Sequence, residues 1–247
     1  MSHLLLIAAF PLDARMWEPV AFDLRAAGHR VDALDLPGLG TGPVLAGEPG
    51  LREAAAYVHG HLEVGSVVAG VSMGGYVIME LLRMSREAGT PALPGAIALC
   101  DTKSTADSEA GRAGRLAMAA AIEADAAASP RLLRESVLPG LLRAQPDPHD
   151  LALVGQWLEE APPASVAWYQ RAMADRPDSR PDLAGFDGPA LVLWGDDDRI
   201  SPDAEQQLTI EALQHPSAVR IPGAGHLACV ERPAPVAQAL AAWLETI

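Results

Sequence analysis

Ser66-Val67-Val68-Ala69-Gly70-Val71-Ser72-Met73-Gly74-Gly75-Tyr76-Val77-Ile78-Met79 reads as a buried strand that turns, with no spacer, into a helix. The Ser66–Val71 run is short and apolar, the pattern of a strand covered on both faces. From Met73 onward, Tyr76, Val77, Ile78, Met79, Leu81 and Leu82 make the following helix apolar nearly all round, so it is expected to be buried. A turn this sharp forces its apex residue into a strained backbone conformation with the side chain pointing out. Glycines two before and two after let strand and helix approach without side-chain clashes. The apex is Ser72, in Gly70-x-Ser72-x-Gly74. The helix N-terminus behind it offers unpaired N–H groups and a positive dipole to a developing oxyanion. Ser72 is therefore the candidate nucleophile. The bland alternative is a turn serine, and the strand before, the helix after and the additional Gly75 weigh against it.

Working outward, the same alternation continues on both sides. Candidate strands are His3–Ala9, His29–Leu34, Gly95–Cys100, Pro189–Trp194 and Ala218–Ile221, and no repeat of solenoid or propeller period is present. Helical patterns lie between them: Ala14–Ala27 with Gly28 as its stop, Leu51–Leu62, and a last helix whose stripe is Val236, Leu240, Trp243 and Ile247. Continuous apolar strands alternating with helices predict an α/β protein with a mostly parallel sheet covered on both faces. Between Asp101 and Gly188 the alternation stops. Helical pieces around Ser108–Asp125, Arg131–Leu142, Asp150–Glu160 and Ala164–Asp175 are separated by prolines. The expected organisation is a core of residues 1–100 and 189–247 with a helical cap insertion at 101–188. An ordinary run of surface helices is the alternative.

A serine hydroxyl is a poor nucleophile until a base takes its proton, so a histidine is required. His3, His29, His59, His61, His149 and His215 read as surface or structural residues. His226 differs: it closes the glycine-rich loop Ile221-Pro222-Gly223-Ala224-Gly225-His226 after the final strand. There it reaches the C-terminal edge of the sheet, where sites of open α/β sheets gather. A carboxylate must hold its tautomer and stabilise the imidazolium. Asp196, Asp197 and Asp198 follow one buried strand and Asp101 follows another, and chemistry alone does not choose among these four.

Composition bounds the partners. The 247 residues suffice for one sizeable domain, and 32 acidic against 18 basic residues give a net charge of −14. Nothing offsets phosphate repulsion, so no nucleic-acid or anionic-membrane partner is expected. Cys100 and Cys229 lack metal-ligand spacing and read as small buried hydrophobes, with no disulfide expected. The apolar stretch at the N-terminus has no basic flank or small-residue cleavage site and ends at Pro11, so it reads as a strand rather than a signal peptide or span. A cytoplasmic location is the default expectation. No phosphate loop, dinucleotide fingerprint or metal cluster is present in the sequence, so no cofactor and no metal are implied.

Over nearly its whole length, in the order Ser, Asp, His, the chain resembles the α/β-hydrolase superfamily. Gly195-x-x-Asp198-x-x-x-Pro202 is similar to the family's acid loop, and this resemblance selects Asp198. Pro222-Gly223-Ala224-Gly225-His226 with Glu231-Arg232-Pro233 looks like its histidine loop, and Asp35-Leu36-Pro37-Gly38-Leu39-Gly40 resembles its loop after the second strand. Pro11-Leu12-Asp13 followed by Met16-Trp17-Glu18-Pro19 is similar to small cofactor-free carboxylesterases and enol-lactonase-like members. The resemblance implies the α/β-hydrolase fold with a small cap, a triad of Ser72, Asp198 and His226, and backbone oxyanion donors at Phe10 and Met73. A serine at the elbow speaks against the haloalkane dehalogenase and epoxide hydrolase branches, which use a carboxylate nucleophile. One departure stands out: Ala8-Ala9 precede Phe10 where the family usually has His-Gly. Alanine lacks glycine's positive-φ freedom, so this loop is expected to sit differently.

These readings predict a serine hydrolase that cleaves an ester, thioester or lactone through an acyl-enzyme on Ser72. The alternatives are a cofactor-free C–C bond hydrolase or perhydrolase using the same triad, or a weakly catalytic binding protein on this fold. Leu138, Leu141, Trp157, Trp168, Tyr169 and Met173 in the cap suggest a small-molecule substrate with an apolar acyl or aromatic group, with plain packing as the alternative.

Overall fold

The computed structural model describes residues 3–45, 47–90 and 94–247. Met1 and Ser2, at the start of the apolar N-terminal run, lie outside the described residues. The strands β1 (His3–Ile7), β2 (Arg30–Leu34), β3 (Val67–Val71), β4 (Ala96–Cys100), β5 (Ala190–Gly195) and β6 (Pro216–Ile221) form one sheet in the order β2-β1-β3-β4-β5-β6. Every neighbouring pair is parallel, with Leu6 opposite Ala69, Gly70 opposite Leu99 and Leu99 opposite Val192. The central strands β3 and β4 are buried at every position, which is why they read as unbroken apolar runs. The chain doubles back between β2 and β3 through β1, and at such a switch the loops at the carboxyl ends of β1 and β3 open a crevice.

The helices, in chain order, are α1 (Glu18–Ala26), α2 (Leu51–His59), α3 (Met73–Ala88), α4 (Glu109–Ala124), α5 (Ser129–Ser136), α6 (Leu138–Leu141), α7 (Pro148–Glu160), α8 (Pro163–Ala174), α9 (Arg180–Ala184), α10 (Asp203–Ala212), α11 (Ala228–Glu231) and α12 (Pro233–Leu244). Helices α1 and α12 pack on each other, while α2 and α9 pack on α3 and α10 on α9. Asp182 of α9 accepts hydrogen bonds from Arg83 and Arg86 of α3, with Arg83 Nη2 to Asp182 Oδ2 at 2.6 Å. The helical stretch at 101–188 thus ends in a helix, α9, that belongs with those covering the sheet.

Between β4 and α9 the chain is helical, with α4 against α8 and α5 against α6 and α7. The buried Tyr169 of α8 donates from its hydroxyl to Pro37 O at 2.9 Å, and Ser165 Oγ donates to Gly38 O at 2.6 Å. These bonds fix α8 to the loop that leaves β2.

Several boundaries differ from the sequence reading for local reasons. The first strand ends at Ile7, not Ala9, because Ala8–Phe10 leave the sheet to form the crevice loop. Ala14–Trp17 is a tight 3₁₀ turn, capped by Asp13 accepting from Arg15 N, before α1 begins. The second helix stops at His59 on Gly60, short of Leu62. The last helix stops at Leu244, so Ile247 lies beyond it and 44% exposed rather than completing the buried stripe. Cys100 and Cys229 are both buried and free. No helix among the described residues is long and apolar enough to cross a membrane.

Candidate active site

Ser72 sits between β3 and α3 at φ 53° and ψ −111°, one of two non-glycine residues among those described with positive φ. Holding a serine there costs of order 1–3 kcal/mol, which the surroundings must supply. Three bonds supply restraint: Ser72 N donates to Cys100 O at 3.0 Å, Thr102 Oγ1 donates to Ser72 O at 2.8 Å, and Gly75 N donates to the same carbonyl at 2.9 Å. The two flanking glycines are sterically required. A Cβ on Gly70 would lie 2.4 Å from Gly74 C, and one on Gly74 would lie 2.5 Å from Ile7 O. Although Ser72 occupies the N-cap position of α3, its hydroxyl makes no capping bond. The ordinary reason for a serine before a helix is therefore absent here.

His226 and Asp198 meet at the carboxyl edge of β5 and β6. His226 Nδ1 lies 2.9 Å from Asp198 Oδ2 and 3.0 Å from Oδ1, both residues being buried. Asp198 is held in turn by Ile200 N at 2.9 Å, Ser201 N at 3.0 Å and Ser201 Oγ at 2.5 Å, all donating to it. Burial alone would raise the Asp198 carboxyl; His226 beside it and the hydrogen bonds from His226 and Ser201 outweigh this and hold it down to about 2. An ionised carboxylate at Nδ1 places the ring proton there and leaves Nε2 to accept.

Ser72 and His226 line one cavity of about 220 Å³, together with Phe10, Tyr76, Arg115, Ser136, Val137, Gly140, Leu141, Gln170, Met173 and Ile200. Ser72 Oγ makes no hydrogen bond to the imidazole in this structure.

The other three acids have different work. Asp101, with φ 44°, is fully buried after β4; it accepts from Gly195 N at 2.8 Å and Ala228 N at 3.2 Å and does not reach His226. Burial and the charge of Asp198 push its carboxyl well above the usual range despite those two N–H groups. It joins the acid loop to the histidine loop. Asp196 accepts from Gly223 N at 2.7 Å and Asp197 from Ala144 N, so both brace loops. Glu231 accepts from Gly225 N at 2.6 Å, steadying the loop that carries His226.

The crevice loop accommodates Ala8-Ala9 without positive φ at either residue. Ala9 N donates to Met16 Sδ at 3.2 Å, whereas neither Phe10 N nor Met73 N donates to any group among the described residues. Two N–H groups thus have no partner among the described residues, one in the loop that follows β1 and one at the start of α3, directly after Ser72.

Sequence reasoning missed Ser201, Arg115 and Gln170. Ser201 was legible: Asp198-x-x-Ser201 before the α10 turn is the spacing at which an aspartate collects N–H groups two and three residues on. Arg115 and Gln170 come from α4 and α8, whose meeting no local pattern announces. Of the cap residues singled out, Leu141 and Met173 line the cavity; Trp157 and Trp168 line other surface hollows. No group of three or more metal-ligating side chains occurs among the described residues.

The sequence model described as the alpha/beta hydrolase family matches residues 4–239. Among solved structures, a thermophilic esterase from Thermogutta terrifontis is similar over 100% of this chain and 90% of its own, at 31% identity and a TM-score of 0.89. The enol-lactonase from Burkholderia xenovorans LB400 is similar in fold over 99% of this chain and 91% of its own, at 23% identity and a TM-score of 0.84. An esterase from Exiguobacterium antarcticum is likewise similar in fold, at 15% identity, with 99% and 92% covered and a TM-score of 0.85. No curated protein matches the chain.

Proposed function

The chain belongs to the alpha/beta hydrolase family, and from that premise we propose that it is a serine hydrolase cleaving a carboxylic ester, thioester or lactone. One observation carries the reading: a serine at φ 53° lines the same cavity as a histidine whose Nδ1 is engaged by a buried, ionised aspartate. In this proposal Ser72 Oγ attacks the carbonyl carbon while His226 Nε2 takes its proton. Asp198 holds the ring in the tautomer that can do so and stabilises the imidazolium. The carbonyl oxygen becomes an oxyanion and accepts from the N–H groups of Phe10 and Met73. Each such donor is worth roughly 2.7–4 kcal/mol in the transition state. His226 then returns the proton to the departing oxygen or sulfur, leaving an acyl group on Ser72. A water, deprotonated by His226, attacks the acyl carbon, and the acid leaves with Ser72 restored.

The helical segment α4–α8 acts in this reading as a cap that closes the cavity from above. The likeness to the Thermogutta esterase, at 31% identity over the whole chain, favours an ester bond as the one cleaved. A panel of p-nitrophenyl esters and simple lactones tests the reaction class. Turnover to the free acid without added metal, cofactor or peroxide is expected. Failure on every ester, thioester and lactone, with turnover of a C–C bond substrate or peracid formation instead, would overturn it.

A further inference from the structure

Among the described residues Arg115 is the only arginine, lysine, aspartate or glutamate that lines the cavity. Its one carboxylate partner is Asp107, reached from Nε at 2.5 Å, while Nη1 donates to Gln170 Oε1 at 3.1 Å. Nη2 donates to nothing among the described residues. Asp107 does not need Arg115 for neutrality. Arg176 already spans it, with Nη2 to Oδ1 at 2.8 Å and Nη1 to Oδ2 at 2.7 Å, and Lys103 Nζ stands 3.3 Å from Oδ1. Three cations therefore gather on Asp107, with the charge of Glu205 also bearing on Arg176, and Arg115 is the one of the three that lines the cavity. This happens in a chain of net charge −14, so it is no by-product of a basic surface. Tyr76, whose ring lies under the Arg176 guanidinium at 4.2 Å, lines the same wall, and its hydroxyl has no hydrogen-bond partner among the described residues.

We propose that Arg115 forms a carboxylate-binding subsite inside the cavity, so that the preferred substrate is a short ester or lactone bearing a second, free carboxylate. A guanidinium held at Nε and Nη1 presents Nη2 in a fixed direction, with little conformational freedom left to lose on binding. The Tyr76 hydroxyl supplies a further donor. In so small a cavity the anion lies within one short acyl chain of Ser72. The apolar wall from Val137, Leu141, Met173 and Ile200 then packs against the methylenes between the two ends. The substrate's identity rests on the proposed acyl transfer; the subsite itself does not.

The test compares the p-nitrophenyl monoester of glutaric acid, which is anionic, with p-nitrophenyl pentanoate, its neutral counterpart of equal length. The wild-type protein should favour the anionic ester in kcat/KM by more than tenfold. Hydrogen bonds to charged groups are worth enough for Arg115→Gln to lower that preference ratio by about 10- to 100-fold, chiefly through KM, with Arg115→Lys in between. Independently, calorimetry on the wild-type protein should detect binding of glutarate and not of glutaramide, its neutral analogue. Equal preference for the two esters in the wild type, or a ratio unmoved by Arg115→Gln, overturns the subsite and leaves Arg115 a structural clamp. Should Arg115→Gln fail to fold, the wild-type preference and the glutarate titration still decide. If neither ester is cleaved but glutarate binds and glutaramide does not, the hydrolase reading fails and the subsite stands.

Discussion

Ser72→Ala should lower kcat on an activated ester by about a millionfold, the loss seen when a triad nucleophile is removed from a serine protease. Thermal unfolding should move by no more than a few degrees. The Ser72 hydroxyl makes no capping bond, and the strained φ of 53° is held by backbone groups and Thr102 that alanine leaves in place. The assay is initial rate against a p-nitrophenyl ester, with circular dichroism as the check on folding. A variant that folds and keeps most of its activity would move the nucleophile elsewhere.

Asp198→Asn should cost about 10⁴-fold in kcat, the size of effect found when the triad aspartate of a serine protease becomes asparagine and the histidine takes the wrong tautomer. Asp196→Asn and Asp197→Asn should each cost less than about tenfold, because each leaves an acceptor for the single loop N–H it now serves. Asp198 also carries a stability signature. Its folded carboxyl is held at about 2, below the 3.8 of an unperturbed aspartate. The unfolded chain therefore takes up its proton first on acidification. The resulting stabilisation, about 2 kcal/mol by linkage, is full above roughly pH 5 and is lost as pH falls through 3.8 toward 2. Denaturant melts of wild type and Asp198→Asn should accordingly converge between pH 5 and pH 2. A gap that stays constant over that range would mean the carboxylate is not held as its hydrogen bonds suggest.

The sheet and the elbow were legible because their constraints are local. Val67–Val71 can only be a strand buried on both faces, and the clash distances at Gly70 and Gly74 show why glycine stands at those two places. The choice among four aspartates was not local. Asp101 and Asp198 both follow buried strands, and only the folding of β5 beside β6 decides which one faces His226. Asp198, which the family resemblance selects, stands beside His226 Nδ1, and the Ser201 hydroxyl and N–H aim its carboxylate. The apolar cap residues divide between lining the cavity and other work. Hydropathy marks what is buried without saying against what, so it does not separate Leu141 and Met173, which line the cavity, from Trp157 and Trp168, which do not. Arg115 stayed hidden for the opposite reason: on α4 it reads as one more solvated charge, and its place in the cavity arises from α4 packing on α8. The Ala8-Ala9 departure, expected to make the crevice loop sit differently, is accommodated without positive φ and leaves the Phe10 N–H without a partner among the described residues.

Whether Ser72 carries the acyl group is decided by reaction with a fluorophosphonate followed by peptide mass spectrometry. A single stoichiometric adduct is expected on the peptide containing Gly70-Val71-Ser72-Met73-Gly74, absent in Ser72→Ala and strongly slowed in a His226→Ala variant. An active wild-type protein that takes no label, or takes it on another residue with Ser72 unmodified, would contradict it.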